Sequence, residues 1–221
     1  MKKKVIAVIV AHPDDEAFFM SGTIAKYARK GHDIYLLCAT KGEEGEQHTN
    51  KDVRQVHEIR EEELQESAKT LGVKKVFFLG FRDGSLSNSL YHKLADSIID
   101  IFNKLKPELI ITIEPRGISG HIDHIAISMI SSYVFEKLPF VKKIMYFCFS
   151  KEVRDSLESY YIYFPPGYKN EEVNHIEDVS DVWEQKMKAI QSHKSQAKDA
   201  GRVMKRLNNF PKKEYFLVRE K

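Results

Sequence analysis

Apolar residues in this chain fall into short continuous runs separated by longer amphipathic stretches. Val5-Ile6-Ala7-Val8-Ile9-Val10 is unbroken and largely β-branched, which predicts a strand covered on both faces. Asp14 to about Lys30 reads as a helix closed by Gly31, with Pro13 suited to its first turn. Ile34 to Ala39 predicts a second strand, and a polar, glycine-containing loop follows from Thr40 to about Asn50. Lys51 to Thr70 reads as a highly charged helix ending at Leu71-Gly72. Lys75 to Leu79 predicts a third strand, followed by the turn Arg82-Asp83-Gly84. Leu90, Leu94, Ile98, Ile101, Phe102 and Leu105 carry helical spacing. Leu109 to Ile113 predicts a fourth strand, His121 to Lys137 a helix and Lys143 to Phe149 a fifth strand.

Strand and helix alternate at intervals of roughly 30 residues, the length of a βαβ unit. This predicts an α/β fold: a single Rossmann-like domain over residues 1–221, with a mostly parallel sheet and helices on both faces. After Ser150 the pattern loosens. Tyr160 to Phe164 reads as a strand or an interface between copies in a homo-oligomer, Val182 to about Met204 as one helix, and Tyr215 to Val218 as an edge strand. No linker, repeat or low-complexity segment divides the chain.

Composition narrows the function classes. The 221 residues carry 35 Lys and Arg against 32 Asp and Glu, a net charge of +3. That charge is too small and too scattered to argue for nucleic acid. The expectation is no nucleic-acid partner. Cys38 and Cys148 both lie in apolar runs, predicting buried, reduced thiols. No run approaches the roughly 20 apolar residues of a membrane span. No signal-peptide pattern follows the three initial lysines. The expectation is a soluble, cytoplasmic protein.

The chemistry is concentrated in two clusters, Ala11-His12-Pro13-Asp14-Asp15-Glu16 and Gly120-His121-Ile122-Asp123-His124. Each follows a predicted strand, so each lies where open α/β sheets bind ligands. His12 with Asp15 and one histidine of the second cluster would make a three-ligand metal site with an open position. A neighbouring carboxylate stays free for acid–base work. Glu16 reads as a helix-start or supporting residue. Taken alone, the acidic residues of the first cluster are also what a helix N-terminus favours. Glycines at the Gly-x-Gly-x-x-Gly spacing are missing after the first strand, which argues against a nucleotide-binding domain.

These two clusters resemble the signature pair of the LmbE-like (PIG-L) zinc-dependent N-deacetylases. Thr40-Lys41-Gly42-Glu43, Arg60-Glu61-Glu62-Glu63, Leu79 to Gly84 and His193-Lys194-Ser195-Gln196 extend the resemblance along most of the chain. Ile122 departs from it, standing where the family usually has proline. The resemblance implies that His12, Asp15 and His124 bind Zn2+, in a donor set that also suits Fe2+ or Co2+. It implies Asp14 as the general base, His121 as the stabiliser of the oxyanion and Asp123 as the residue that orients a histidine. The implied substrate is a small N-acetylglucosamine-containing molecule, giving acetate and a free amine. Four residues are weaker candidates for substrate binding, each with a plainer rival. Arg60 is set against a surface pair with Glu63, and Asp83 against a simple turn. Arg116 is set against an exposed loop arginine, and His193 against a packed histidine. A non-catalytic sugar- or metal-binding relative is the remaining alternative.

Overall fold

The computed structural model describes residues 2–45, 55–157 and 163–221. Seven strands form one sheet in the order β3-β2-β1-β4-β5-β7-β6. The strands are β1 (Val5–Val10), β2 (Asp33–Cys38), β3 (Lys75–Phe78), β4 (Leu109–Ile113), β5 (Lys143–Cys148), β6 (His175–Asp178) and β7 (Lys213–Glu220). The first five run parallel, in the expected Rossmann-like order. β7 runs antiparallel to both β5 and β6.

Alternate residues of β1 divide the core. Ile6, Val8 and Val10 pack with Ile24, Leu64 and Leu71 on one face. Ala7, Ile9 and Ala11 pack with Leu94, Phe102 and Ile127 on the other. That division is why the run is apolar at every position. The first face is covered by α1 (Ser21–Arg29), α2 (Val56–Leu71), α6 (Trp183–Ser192) and α7 (Ala197–Leu207). The second is covered by α3 (Tyr91–Leu105) and α4 (Ile122–Lys137). A short α5 (Lys151–Asp155) follows β5. Cys38 and Cys148 are free and buried. Among the described residues no helix is long and apolar enough to cross a membrane.

The structure corrects several expectations. Pro13 stands before the first helix, which opens at Glu16 as one π-helical turn, Glu16–Met20, before α1. Lys51 to Arg54, the start of the charged helix, lies outside the described residues, and α2 is described from Val56. The helix expected from Val182 to Met204 is broken at His193, whose ψ of 64° leaves the helical region between α6 and α7. The strand Lys213–Glu220 is not at an edge, because the polar segment His175-Ile176-Glu177-Asp178 pairs along it. In the expected strand or interface Tyr160 to Phe164, residues 160–162 lie outside the described residues. Tyr163 and Phe164 are in no strand.

Candidate metal centre and active site

β1 and β4 lie side by side where the strand order reverses, so their carboxyl ends open onto one crevice. The two clusters, 112 residues apart from His12 to His124, meet there. After β1 the chain turns sharply around Asp15, whose Oδ2 accepts the amides of Ala11 at 3.1 Å and His12 at 2.9 Å. Asp14, at the top of this turn, has φ of +119°, a region that L residues seldom enter.

The loop after β4 is organised by Glu114, which is buried and accepts the amides of Arg116 and Ile118, each at 2.7 Å. His121 caps α4: its Nδ1 accepts the Asp123 amide at 3.1 Å. The hydrogen of the neutral ring therefore sits on Nε2. The Gly117 carbonyl lies 3.1 Å from Nδ1 of His124. A carbonyl only accepts, so that nitrogen carries the hydrogen and Nε2 of His124 is left as a lone-pair donor.

Donor atoms of three residues converge. His12 Nδ1 lies 3.3 Å from His124 Nε2, which lies 3.1 Å from Asp15 Oδ1, and His12 Nδ1 is 3.8 Å from Asp15 Oδ2. Tetrahedral zinc with bonds of about 2.0–2.1 Å needs ligand atoms roughly 3.3 Å apart, so the set fits such an ion. All three residues are buried. On the far side of its ring, His12 Nε2 faces Asp83 Oδ1 at 2.9 Å and Asp123 Oδ2 at 3.3 Å. Two carboxylates there take the Nε2 hydrogen and turn the Nδ1 lone pair toward the triad. Asp123 also accepts the amides of Gly84 at 2.9 Å and Leu86 at 3.1 Å, tying the loop after β3 to α4.

The electrostatics favour a positive charge on the His12 imidazole. Burial alone would lower that imidazole, but hydrogen bonds to Asp123 and Asp83 and the charge of Asp15 raise it to about 10. Against the effect of burial, His124 and His12 hold Asp15 well below the usual carboxylate range. Burial raises Asp14 to about 6, opposed by the guanidinium of Arg60. Burial, with the charges of His12 and His124, lowers His121 to about 4.

The four weaker candidates divide. Arg60 is 4% exposed, which removes the surface pair with Glu63. Its guanidinium bonds to the turn after β1 and to the loop after β2. Its Nη2 reaches Asp14 Oδ2 at 3.0 Å and the Pro13 carbonyl at 2.6 Å, and its Nη1 the Gly42 carbonyl at 2.9 Å. Asp83 is 7% exposed, with Oδ1 2.9 Å from His12 Nε2. Arg116 stacks on Tyr168, with Cζ 3.6 Å from the ring centroid, and donates through Nε to its hydroxyl at 2.9 Å. His193 is fully buried beside Glu16, with Nε2 2.9 Å from Oε1. Sequence reasoning missed the Glu114 loop anchor and the bond from Glu63 to Ser195. Neither carries a local signal, since Glu114 reads as a lone carboxylate beside an apolar run and Glu63 as one of three consecutive glutamates on a charged helix.

The chain is similar to known proteins in sequence and in fold. The family model described as PIG-L, GlcNAc-PI de-N-acetylase, matches residues 7–134. Diacetylchitobiose deacetylase of Thermococcus kodakarensis is 31% identical over 200 residues, covering 88% of this chain and 70% of that protein. Probable N-acetyl-alpha-D-glucosaminyl L-malate deacetylase 2 of Bacillus anthracis is 28% identical over 194 residues, covering 86% and 80%. 1D-myo-inositol 2-acetamido-2-deoxy-alpha-D-glucopyranoside deacetylase of Corynebacterium diphtheriae is 35% identical over 156 residues, 61% of this chain. The chain spans only about half of that relative, 53%. Among solved structures, N,N'-diacetylchitobiose deacetylase from Pyrococcus horikoshii superposes with a TM-score of 0.69 at 26% identity, covering 98% of this chain and 84% of that one.

Proposed function

The chain belongs to the PIG-L family of GlcNAc-PI de-N-acetylases, and on that premise we propose that it is a metal-dependent amide hydrolase. Its substrate is a small molecule containing N-acetylglucosamine, and its products are acetate and a free amine. The observation that carries this reading is the convergence of His12 Nδ1, Asp15 and His124 Nε2 within 3.8 Å, with the Asp14 carboxylate one residue away. Relatives named as deacetylases of chitobiose and of GlcNAc conjugates of malate and inositol support the substrate class.

Zinc held by these three residues would supply Lewis acidity toward the acetyl carbonyl and lower the pKa of water at the site. The chain's own groups do the rest. Asp14, raised to about 6 by burial, is matched to taking a proton near neutral pH. It removes a proton from the attacking water as the hydroxyl oxygen bonds to the acetyl carbon. It returns that proton to the sugar nitrogen as the C–N bond breaks. Arg60 holds Asp14 in place throughout, through the 3.0 Å pair. His121, lowered to about 4, is neutral at pH 7 and carries its hydrogen on Nε2, the atom that would donate to the oxygen that gains charge.

The test is acetate release from free GlcNAc, diacetylchitobiose and the inositol-linked and malate-linked conjugates, with zinc-loaded protein beside Asp14→Ala. Release that disappears in the variant upholds the reading, and the best substrate assigns the conjugate. No release from any member, by protein that holds zinc, overturns it.

A further inference from the structure

We propose that Glu16 and His193 are positioning residues for Asp14, and that a buried hydrogen-bond chain running through them fixes where its carboxylate stands. The inference rests on the reading of Asp14 as the acid–base residue. It starts from the backbone. With φ of +119°, Asp14 occupies a conformation it would not hold unaided. Its amide points inward and donates to Glu16 Oε2 at 3.1 Å. The second oxygen of Glu16 accepts from Ser67 Oγ at 2.6 Å and faces His193 Nε2 at 2.9 Å. Glu16 and His193 are both 0% exposed, so no solvent substitutes for these bonds.

His193 bears the signs of a residue kept for one contact. Among the described residues its Nδ1 has no hydrogen-bond partner, which is unfavourable for a buried nitrogen. Its backbone breaks the helical run between α6 and α7. An apolar residue in a continuous helix would avoid both penalties, so the bond from Nε2 to Glu16 is what the arrangement provides. The turn that delivers it is anchored again two residues on, where Ser195 donates its amide and its hydroxyl to Glu63, each at 2.7 Å. Glu63 lies between Arg60 and Ser67 on α2, so one buried helix face holds the Asp14 carboxylate, the His193 turn and Glu16. Asp14 is thus held at two points, its carboxylate by Arg60 and its amide by Glu16. His193 makes no hydrogen bond to His12, Asp15 or His124, so it acts on the acid–base group without touching the metal ligands.

The test compares wild type, His193→Leu and His193→Gln by kinetics, bound zinc and crystal structure. Gln keeps an N–H donor where Nε2 stands. His193→Leu is expected to hold one zinc per chain, with kcat down about 10–100-fold and KM within about twofold. His193→Gln is expected to recover most of kcat. The crystal structure of His193→Leu is expected to show Asp14 out of its positive φ or its carboxylate withdrawn from Arg60. A folded His193→Leu with Asp14 unmoved and kcat unchanged overturns the proposal. So does a fall in zinc content alone. If wild type releases acetate from no GlcNAc compound, the proposed function fails, and the position of Asp14 in the variant still decides this inference. If His193→Leu does not fold, His193→Asn, too short to reach Glu16, takes its place with the same readouts.

Discussion

Asp14 and Asp15 are identical side chains one residue apart, yet the fold gives them opposite proton affinities. Two histidines and two amides hold Asp15 ionised, while burial raises Asp14 to about 6. One is set up to hold a cation and the other to carry a proton. Asp14→Asn is therefore expected to lose about 10²–10⁴-fold in kcat while still binding zinc, read by acetate release beside metal analysis. Asp123→Ala should act differently. It removes an acceptor from His12 Nε2 and from the Gly84 and Leu86 amides. Zinc affinity is expected to fall about 10–100-fold in competition with a chelator. Unchanged affinity would show that Asp83 alone orients His12. At this scale the meeting of the two clusters in one crevice was legible, because their donor types sit in two compact motifs at strand ends. The partner of Arg60 was not, because the i,i+3 spacing of Arg60 and Glu63 suggests a helix-surface pair until tertiary burial turns both inward.

Elements in this molecule are joined by carboxylates as well as by apolar packing. Glu214 on β7 accepts the amides of Gly22 at 2.9 Å and Thr23 at 2.8 Å, the Thr23 hydroxyl at 2.6 Å and Lys186 Nζ of α6 at 2.7 Å. It caps the start of α1 and neutralises a lysine that is 1% exposed. Glu214→Gln leaves that lysine uncompensated and is expected to destabilise by about 3–5 kcal/mol in urea unfolding. A second tie joins α1 to β6, where Lys26 Nζ lies 2.6 Å from Glu177. Burial would raise the Glu177 carboxyl, but Lys26 and His175 lower it overall. A lowered carboxyl adds stability above its unfolded value of about 4.3, and that stability is lost as pH falls through the folded value. Glu177→Gln is expected to melt below wild type at pH 7, with the gap closing below about pH 4. A gap that stays constant to pH 3 would refute the assignment. β1 to β5 and α3 were legible as elements from apolar period. β6 was not, because His-Ile-Glu-Asp carries no strand signal of its own and forms only against β7. The break at His193 was equally hidden, since α6 and α7 read as one amphipathic stretch.

For the whole molecule, the crevice gathers Asp15, Asp83 and Asp123 around His12 and His124. A divalent cation that binds only the folded chain should raise its stability, by about 2.7 kcal/mol at a hundredfold excess over Kd. Thermal melts with zinc and after chelation check this, and an unmoved Tm would refute the metal centre. The sequence by itself determined the parallel α/β core, because short β-branched runs, apolar at every position and alternating with stretches of helical spacing, suit strands buried on both faces. It also determined the ligand types, because imidazole and carboxylate chemistry belongs to the residues. Tertiary structure alone decided which nitrogens of His12 and His124 turn toward Asp15, why Arg60 points inward and what holds Asp14 in its unusual backbone. Each of those depends on hydrogen bonds between segments far apart in the chain, and such partners leave no trace in local spacing.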